Sequence, residues 1–292
     1  MRLLLHIVIV MWIALTTACN PKSEFDLTHE RPCRELEEID NLMWHQPDSA
    51  FSLLQAFTAN PKANSLDELN RHYCQLLISE LLYKNYYRQS NRKDLLKAVD
   101  YFDSTNNVFL SARGHYINGV GYYELDSVTE ACTEYLKALE TMESYYKETE
   151  LTGTKAIFMF LTFNRLLSLF SSQFMMDPAI ICGEQALVYC QKESSLNKEI
   201  PNTYFHIGKQ YDLKGEKDIA SDYYGRAKEL FDVNSFIYRE AVSMKALCDY
   251  QMGLDAEQSL NTIKRTLSNA EGEKEKMSRF VAIGAIFLEE GV

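Results

Sequence analysis

The sequence predicts an all-α protein, a solenoid of about six helix pairs followed by a final unpaired helix. Three observations predict it. The 292 residues include only 12 Gly and 6 Pro, few for a protein with the many turns of a β fold, and helix-forming residues dominate. Apolar and aromatic side chains recur at the i, i+3, i+4, i+7 spacing of one helical face. Two stretches, 112–145 and 201–234, show the same order of side-chain sizes in register.

These two stretches predict pairs of antiparallel helices. Gly208 and Ala220 lie twelve residues apart, and so do Gly119 and Ala131. Two tyrosines thirteen apart, and a second alanine seven residues after the first, recur in both stretches. The small residues stand where two helices must approach closely. Gly215 falls at the predicted turn, where a left-handed residue ends a helix without steric cost.

This pattern resembles the tetratricopeptide repeat, in which an aromatic residue, Leu-Gly and Tyr are followed by Ala, an aromatic residue and Ala. The unit at 201–234 matches nearly every one of these positions. The unit at 112–145 departs from them, with His115 and Asn118 in place of the first aromatic residue and the Leu, and Asp126 at the turn glycine. The resemblance implies a right-handed α-α superhelix.

More degenerate units extend this reading over residues 30–292. The segment 35–57 is predicted to be a short pair whose second helix opens with Pro47 near its first position. Other units are indicated by residues that keep the register of the repeat: Ala98, Phe102, Phe163, Leu166, Phe170, Ala179, Ala186, Ala246, Tyr250 and Gly253. The last stretch, 280–291, matches a first helix without its partner helix. We therefore expect residues 1–292 to be the front part of a longer product or of a disrupted gene.

The first 18 residues are predicted to be a signal peptide. Arg2 precedes an apolar run from Leu3 to Leu15, which is too short to span a bilayer comfortably. The sequence LTTAC resembles the lipobox of bacterial lipoproteins, although Thr16 stands where that family prefers Leu. The resemblance implies lipidation of Cys19, a polar tether over 19–29 and a place in the cell envelope, at the outer membrane, periplasm or cell surface. Cleavage after Ala18 without lipidation, and an uncleaved anchor, are the alternatives.

The charge of the chain argues against nucleic acid as a partner. Its 30 basic and 41 acidic side chains give a net charge of −11. Such a chain repels a phosphate backbone, and no basic stripe offsets the repulsion.

No motif for catalysis, a cofactor or a metal is recognisable. Gly208, Gly215 and Lys217 do not have the spacing of a phosphate-binding loop, and Gly119 and Gly121 lack the third glycine of a dinucleotide fingerprint. HExxH and GxSxG are absent, and the cysteines after Cys19 are scattered without a CxxC pair. We expect these cysteines to be free and buried between helices. The prediction is therefore a protein that is not an enzyme and has no cofactor or metal.

The resemblance implies a binding surface, because first helices of the repeat family line a concave groove that holds a peptide or partner segment. Carried over by register, the candidate groove residues are Arg113, Tyr116, Tyr123, Asn202, Phe205 and Lys209. Arginine and aromatic residues are enriched at binding hot spots, and Arg113 or Lys209 could meet an acidic group. The alternative is that the three rings simply pack between neighbouring helices.

The function predicted is that of a scaffold that binds a protein or peptide and is held on a membrane by lipid on Cys19. Two other functions remain open. The chain could be the sensor portion of a longer signalling or regulatory protein, or its tyrosine-rich groove could capture a glycan or small ligand.

Overall fold

The computed structural model describes residues 32–88, 92–268 and 284. Over these residues the chain forms twelve α-helices and no strand. They are α1 (Arg34–Met43), α2 (Pro47–Ala59), α3 (Glu68–Lys84), α4 (Arg92–Asp103), α5 (Val108–Tyr123), α6 (Val128–Tyr145), α7 (Thr154–Ser172), α8 (Met176–Lys192), α9 (Ile200–Lys214), α10 (Lys217–Leu230), α11 (Phe236–Gln251) and α12 (Ala256–Ser268). Short 3₁₀ turns at Pro61–Ser65, Glu148–Glu150 and Ser194–Glu199 separate some of the pairs.

The twelve helices form the six predicted pairs, α1–α2 to α11–α12. The two helices of each pair pack on each other, and the second helix of each pair contacts the first helix of the next. First helices of successive pairs also touch, α1 with α3, α3 with α5, and α5 with α7. This packing of neighbour on neighbour is the architecture of a solenoid and confirms the predicted fold class.

The small residues stand where the two helices of a pair meet, as predicted. A Cβ added to Gly208 would lie 3.1 Å from the Tyr224 ring, and one added to Gly119 would lie 2.8 Å from the Tyr135 ring. Both tyrosines belong to the second helix of the pair and are fully or almost fully buried. Glycine in the first helix therefore makes room for the ring from the second.

A left-handed residue follows each first helix from α3 onwards. Gly215 has φ +84° after α9 and Gly253 has φ +73° after α11. The predicted equivalent of Gly215 in the earlier unit, Asp126, has φ +56°, and the corresponding turns after α3 and α7 use Tyr86 at +60° and Phe174 at +54°. The same backbone turn thus recurs where the sequence has no glycine, although side chains disfavour this conformation.

The core is divided along the solenoid. One cluster of buried side chains runs through α1 to α8 and ends at Leu196. A second cluster joins α9, α10 and α11 around Tyr224, and a small third one packs α12 through Ile263. The cysteines of the described residues are free, and four of them are buried within these clusters, at positions 74, 182, 190 and 248.

Several predicted features lie outside the described residues. They are the signal peptide at 1–18, Cys19 with the tether at 19–29, and nearly all of the predicted final helix. Among the described residues, none of the helices is both long and apolar enough to cross a membrane.

Candidate functional site

A cavity of about 370 Å³ opens on the side of the first helices. Every residue that lines it belongs to a first helix or to the residues just after one. They are Trp44, Glu80, Tyr83, Lys84, Tyr86, Tyr116, Ile117, Phe158, Leu161 and Arg165. The cavity thus spans α1, α3, α5 and α7, the face predicted to form the groove. A larger depression of about 470 Å³ lies on α12, but only this helix and the preceding Asp255 line it, with polar residues, so it encloses little.

Half of the residues that line the cavity are aromatic. Tyr116 packs edge-on against Phe158, with ring centroids 5.7 Å apart, and against Tyr83 at 6.4 Å. Trp44 stacks on Phe109 at 6.2 Å. Offset and edge-to-face pairs of this kind hold aromatic side chains in defined positions. The wall is therefore a preformed apolar surface built from four helix pairs.

A buried ion network lies beneath this wall. Arg113, 1% exposed, donates from Nη1 and Nη2 to the two Asp40 oxygens at 2.7 and 2.8 Å. Its Nε and Nη2 also donate to Glu80, at 2.9 and 2.5 Å. The Tyr73 hydroxyl donates to Asp40 as well. Burial alone would lower the pKa of Arg113, but the two carboxylates raise it well above its ordinary value. The network ties α1, α3 and α5 together with paired, charge-assisted hydrogen bonds.

Two cations at the cavity have no such partners. The Lys84 ammonium lies 4.9 Å from the centre of the Trp44 ring, and the Arg165 guanidinium lies 5.1 Å from that of Tyr83. Both side chains are half-buried, and neither makes a hydrogen bond or ion pair with any described residue. Burial lowers the pKa of each. For Arg165 no carboxylate of the described residues counteracts this effect on the pKa, whereas the Glu80 charge partly does for Lys84.

The structure brings two of the predicted groove residues to this cavity. Tyr116 is part of its wall, although it is only 6% exposed. Arg113 was expected to meet an acidic group of a partner, but its guanidinium is occupied by two carboxylates of its own chain. Tyr123 lies at the end of α5, 40% exposed, and does not line the cavity.

The three predicted residues of α9 lie apart from it. Phe205 is buried and packs against Tyr224, with ring centroids 5.4 Å apart, as the packing alternative predicted. Asn202 is half-buried and Lys209 is exposed. The binding role of these residues stays a prediction.

Sequence reasoning missed most of the cavity because α3 and α7 belong to degenerate units. A signal was present nonetheless. Counting back from the matched positions Asn118 and Leu166, Leu161 occupies the place of Arg113. By the same count Arg165 corresponds to Ile117. Leu161, Arg165 and Ile117 line the cavity, and Arg113 lies directly beneath it.

A second polar cluster explains two departures of the unit at 112–145, His115 and Asn118. His115 Nδ1 lies 2.8 Å from Glu134, its Nε2 lies 3.2 Å from Asp103, and the Asn118 amide donates to Glu134 at 2.9 Å. Burial would lower the pKa of His115, but hydrogen bonds to the two carboxylates raise it to about 9. In the unit at 201–234, Tyr204, Ile207 and Tyr223 occupy the positions of His115, Asn118 and Glu134. An apolar contact of one unit is thus an ion pair in the other.

Signs of catalysis or metal binding are few in the described part of the chain. No group of three His, Cys, Asp or Glu side chains there could hold a metal ion. Ser221 lies 3.0 Å from the Lys245 ammonium and 2.5 Å from Asp249, but the three join α10 to α11 and line neither depression. The cavity combines aromatic rings with two cations that make no ion pair with a described residue.

Comparison with known proteins indicates the fold. No protein-family model matches the chain, and no curated protein matches its sequence. Among solved structures, the apo form of RapI is similar, with 13% identity and a TM-score of 0.61 over 87% of this chain and 68% of that one.

Two further structures have related architecture. A signal-transduction ATPase with a tetratricopeptide repeat sensor, from Pyrococcus horikoshii, shares 14% identity with a TM-score of 0.61, over 88% of this chain and 38% of that one. A kinesin light chain with TPR-like repeats, from Podospora anserina, shares 11% identity with a TM-score of 0.53, over 70% and 96%. The fold is therefore tetratricopeptide-like.

Proposed function

We propose that this protein is a non-enzymatic scaffold that binds a protein or peptide segment in the cavity between α1, α3, α5 and α7. The observation that carries the proposal is the aromatic cavity itself. Its volume of about 370 Å³ lies within the range of ligand pockets, and aromatic and arginine side chains dominate binding hot spots. Its position on the first helices agrees with the way tetratricopeptide-like proteins present a concave surface.

The size of the cavity suits one or two side chains of a partner. An aromatic side chain that buries about 150–250 Å² would contribute roughly 4–6 kcal/mol at about 25 cal/mol per Å². Ordering the segment offsets part of this gain. Apolar burial alone would therefore give weak binding, and polar contacts at the cavity must supply the rest.

A substitution that fills the cavity tests the proposal. Leu161→Trp places a larger side chain in the space, whereas Leu213→Trp adds the same side chain at an exposed position of α9 that does not line the cavity. Each variant would be immobilised and exposed to a library of random heptapeptides. We expect the wild type and Leu213→Trp to enrich the same peptides and Leu161→Trp to lose them. Equal enrichment by all three proteins would place binding elsewhere.

We also propose that the protein is exported and anchored in the cell envelope by lipid on Cys19. The support is the apolar run at 3–15 followed by LTTAC. Several acyl chains hold a protein stably on a membrane, because each buried CH₂ contributes roughly 0.8 kcal/mol. Cells fed a labelled fatty acid should label the wild type but not Cys19→Ser, and the variant should move to the soluble fraction. Unchanged labelling and fractionation would contradict the proposal.

A sensor within a longer signalling protein is a second candidate. One structurally similar protein is described as a signal-transduction ATPase with a tetratricopeptide repeat sensor. In that case, occupation of the cavity would regulate an output domain encoded after Val292. Reading the genomic frame past Val292 distinguishes the two functions, since an output domain there would favour the sensor.

A further inference from the structure

The charges around the cavity are unequal. Arg113, Lys84 and Arg165 supply three cations, while Asp40 and Glu80 supply two carboxylates among the described residues that line the cavity or pair directly beneath it. Arg113 occupies both carboxylates with four hydrogen bonds. One positive charge is therefore left over, in a chain whose net charge is −11.

That charge is located at Arg165. Burial lowers the pKa of Lys84 and the Glu80 carboxylate partly offsets this, whereas among the described residues no carboxylate pairs with Arg165. Its side chain is half-buried, and its guanidinium, which carries five donors, lies 5.1 Å from the centre of the Tyr83 ring. A desolvated guanidinium without a partner is costly, and a carboxylate that pairs with it recovers that cost.

We propose that the cavity binds a peptide segment in which an acidic side chain stands next to an aromatic or large apolar one. The carboxylate pairs with Arg165, and the apolar side chain enters between Trp44, Tyr116 and Phe158. This inference rests on the proposed function, since it assumes that the cavity binds a peptide.

Charge and shape favour this ligand over other anions. A doubly charged phosphate would exceed the single excess charge of the groups at the cavity. The cavity lies along successive first helices and opens to solvent beside Tyr86, which is 99% exposed. An extended segment can enter and leave such a site, so the carboxylate is assigned to a side chain rather than to a chain end.

The test uses the full chain and two libraries of random heptapeptides. The first is acetylated and amidated, so that Asp and Glu supply its only carboxylates. The second lacks Asp and Glu but has a free C-terminus. Selections are compared for the wild type, Arg165→Met, Arg165→Lys and Arg226→Met. Arg226 is the matched control. Like Arg165 it lies near tyrosine, in this case two rings, but it is on α10 and pairs with Asp222.

We expect the wild type and Arg226→Met to enrich, from the first library, peptides with Asp or Glu beside an aromatic or large apolar residue. Arg165→Met should weaken binding of a selected peptide at least about tenfold, since hydrogen bonds to charged groups are strong, and Arg165→Lys should restore part of it. Circular dichroism melting would show that each variant is folded.

The other outcomes separate the two proposals. Enrichment of apolar peptides without an acidic residue, enrichment from the second library alone, or equal binding by folded Arg165→Met would overturn the acidic ligand and leave peptide binding intact. No enrichment by the wild type from either library would overturn both. If Arg165→Met does not fold, the composition of the wild-type selection and the Arg165→Lys variant decide the question.

Discussion

Raising the pH from 6.5 to 9 is expected to remove a measurable part of the stability of the α4–α6 region, and His115→Gln is expected to remove the same part at lower pH. His115 is buried, with Glu134 2.8 Å from one ring nitrogen and Asp103 3.2 Å from the other. A carboxylate on each side favours the ring that carries both protons. Lys137 and Asn118 complete the cluster by donating to Glu134.

The magnitude follows from the raised pKa. An increase from 6.5 to about 9 corresponds to about 3 kcal/mol at roughly 1.36 kcal/mol per pKa unit. The Asp103 side chain is 42% exposed, so solvent screening reduces this value and we expect about 1–3 kcal/mol. The pKa of Glu134 is lowered to about 2, because hydrogen bonds from His115 and Lys137 outweigh its burial. The pKa shifts of His115 and Glu134 describe the same ion pair, so their free energies are not added.

The sign decides the pH range. A raised pKa means that the folded state binds the proton more tightly, so the contribution of His115 is complete below 6.5 and disappears as the pH rises to about 9. The lowered pKa of Glu134 acts in the opposite direction, because its contribution is complete above 4.5 and is lost as the pH falls towards 2. The cluster therefore stabilises the fold most between pH 4.5 and 6.5.

The assay is urea unfolding followed by circular dichroism, at several pH values from 5.5 to about 9.5. Other groups also titrate over this range, so the informative quantity is the difference in unfolding free energy between wild type and His115→Gln. That difference should shrink by about 1–3 kcal/mol from pH 6 to 9. His45→Gln, at an exposed histidine, is the control. A difference that stays constant with pH would refute the reasoning.

Three further predictions concern stability and can be measured by urea unfolding at neutral pH. Asp126→Gly should stabilise the protein by about 0.5–1 kcal/mol, because the residue has φ +56°, a conformation that glycine adopts without steric strain; a loss of stability would contradict this. Arg113→Met should destabilise it by about 3–5 kcal/mol by leaving two carboxylates without their cation, whereas Arg34→Met, at an exposed ion pair, should cost less than about 0.5 kcal/mol. Gly119→Ala should cost about 1–3 kcal/mol, since its new Cβ would lie 2.8 Å from a buried ring, while at Gly225, inside α10, the nearest atom is 3.7 Å away and the same change should be neutral or stabilise by up to about 1 kcal/mol. Equal effects at the two glycines would argue against close helix approach at Gly119.

The fold was predictable because its main determinants are local. In the stretches 112–145 and 201–234, the small residues where two helices meet and the tyrosines thirteen residues apart recur at the same positions. These two clear units indicated the architecture of six pairs. The turns were harder to recognise. After α3, α5 and α7 the left-handed position is filled by Tyr86, Asp126 and Phe174, so the chain geometry is kept while the sequence signal is lost.

The departures at His115 and Asn118 also show what the repeat pattern cannot reveal. In a comparison with the repeat pattern they look like weakened positions. The structure shows that a third change, Glu134 where the other unit has Tyr223, turns them into a complete polar substitute for an apolar contact. Each of these polar side chains would be unfavourable if buried alone, but together they supply one another's hydrogen-bond partners. Spacing along a single sequence does not reveal such a set.

The cavity was only partly predictable, because its properties depend on contacts between distant residues. The register placed Arg113 on the binding face, and its charge suggested contact with an external acidic group. Asp40, 73 residues earlier in the chain, and Glu80, 33 residues earlier, occupy that guanidinium instead. No local pattern encodes such a pairing.

This internal pairing also supports the proposal that the cavity binds an acidic peptide. If Arg113 did not engage Glu80, that carboxylate would be a cavity-lining group free to attract Lys84 and Arg165. Arg113, Asp40 and Glu80 together carry one net negative charge, and Lys84 and Arg165 carry two positive charges, so the excess positive charge of the five groups stays on the cavity side. Asp40 belongs to the first helix pair, Glu80 to the second and Arg113 to the third, so the charge of the cavity depends on all three being docked. The N-terminal pair, which contributes no cation to the cavity, therefore helps to define it by supplying Trp44 to the wall and Asp40 to the ion network.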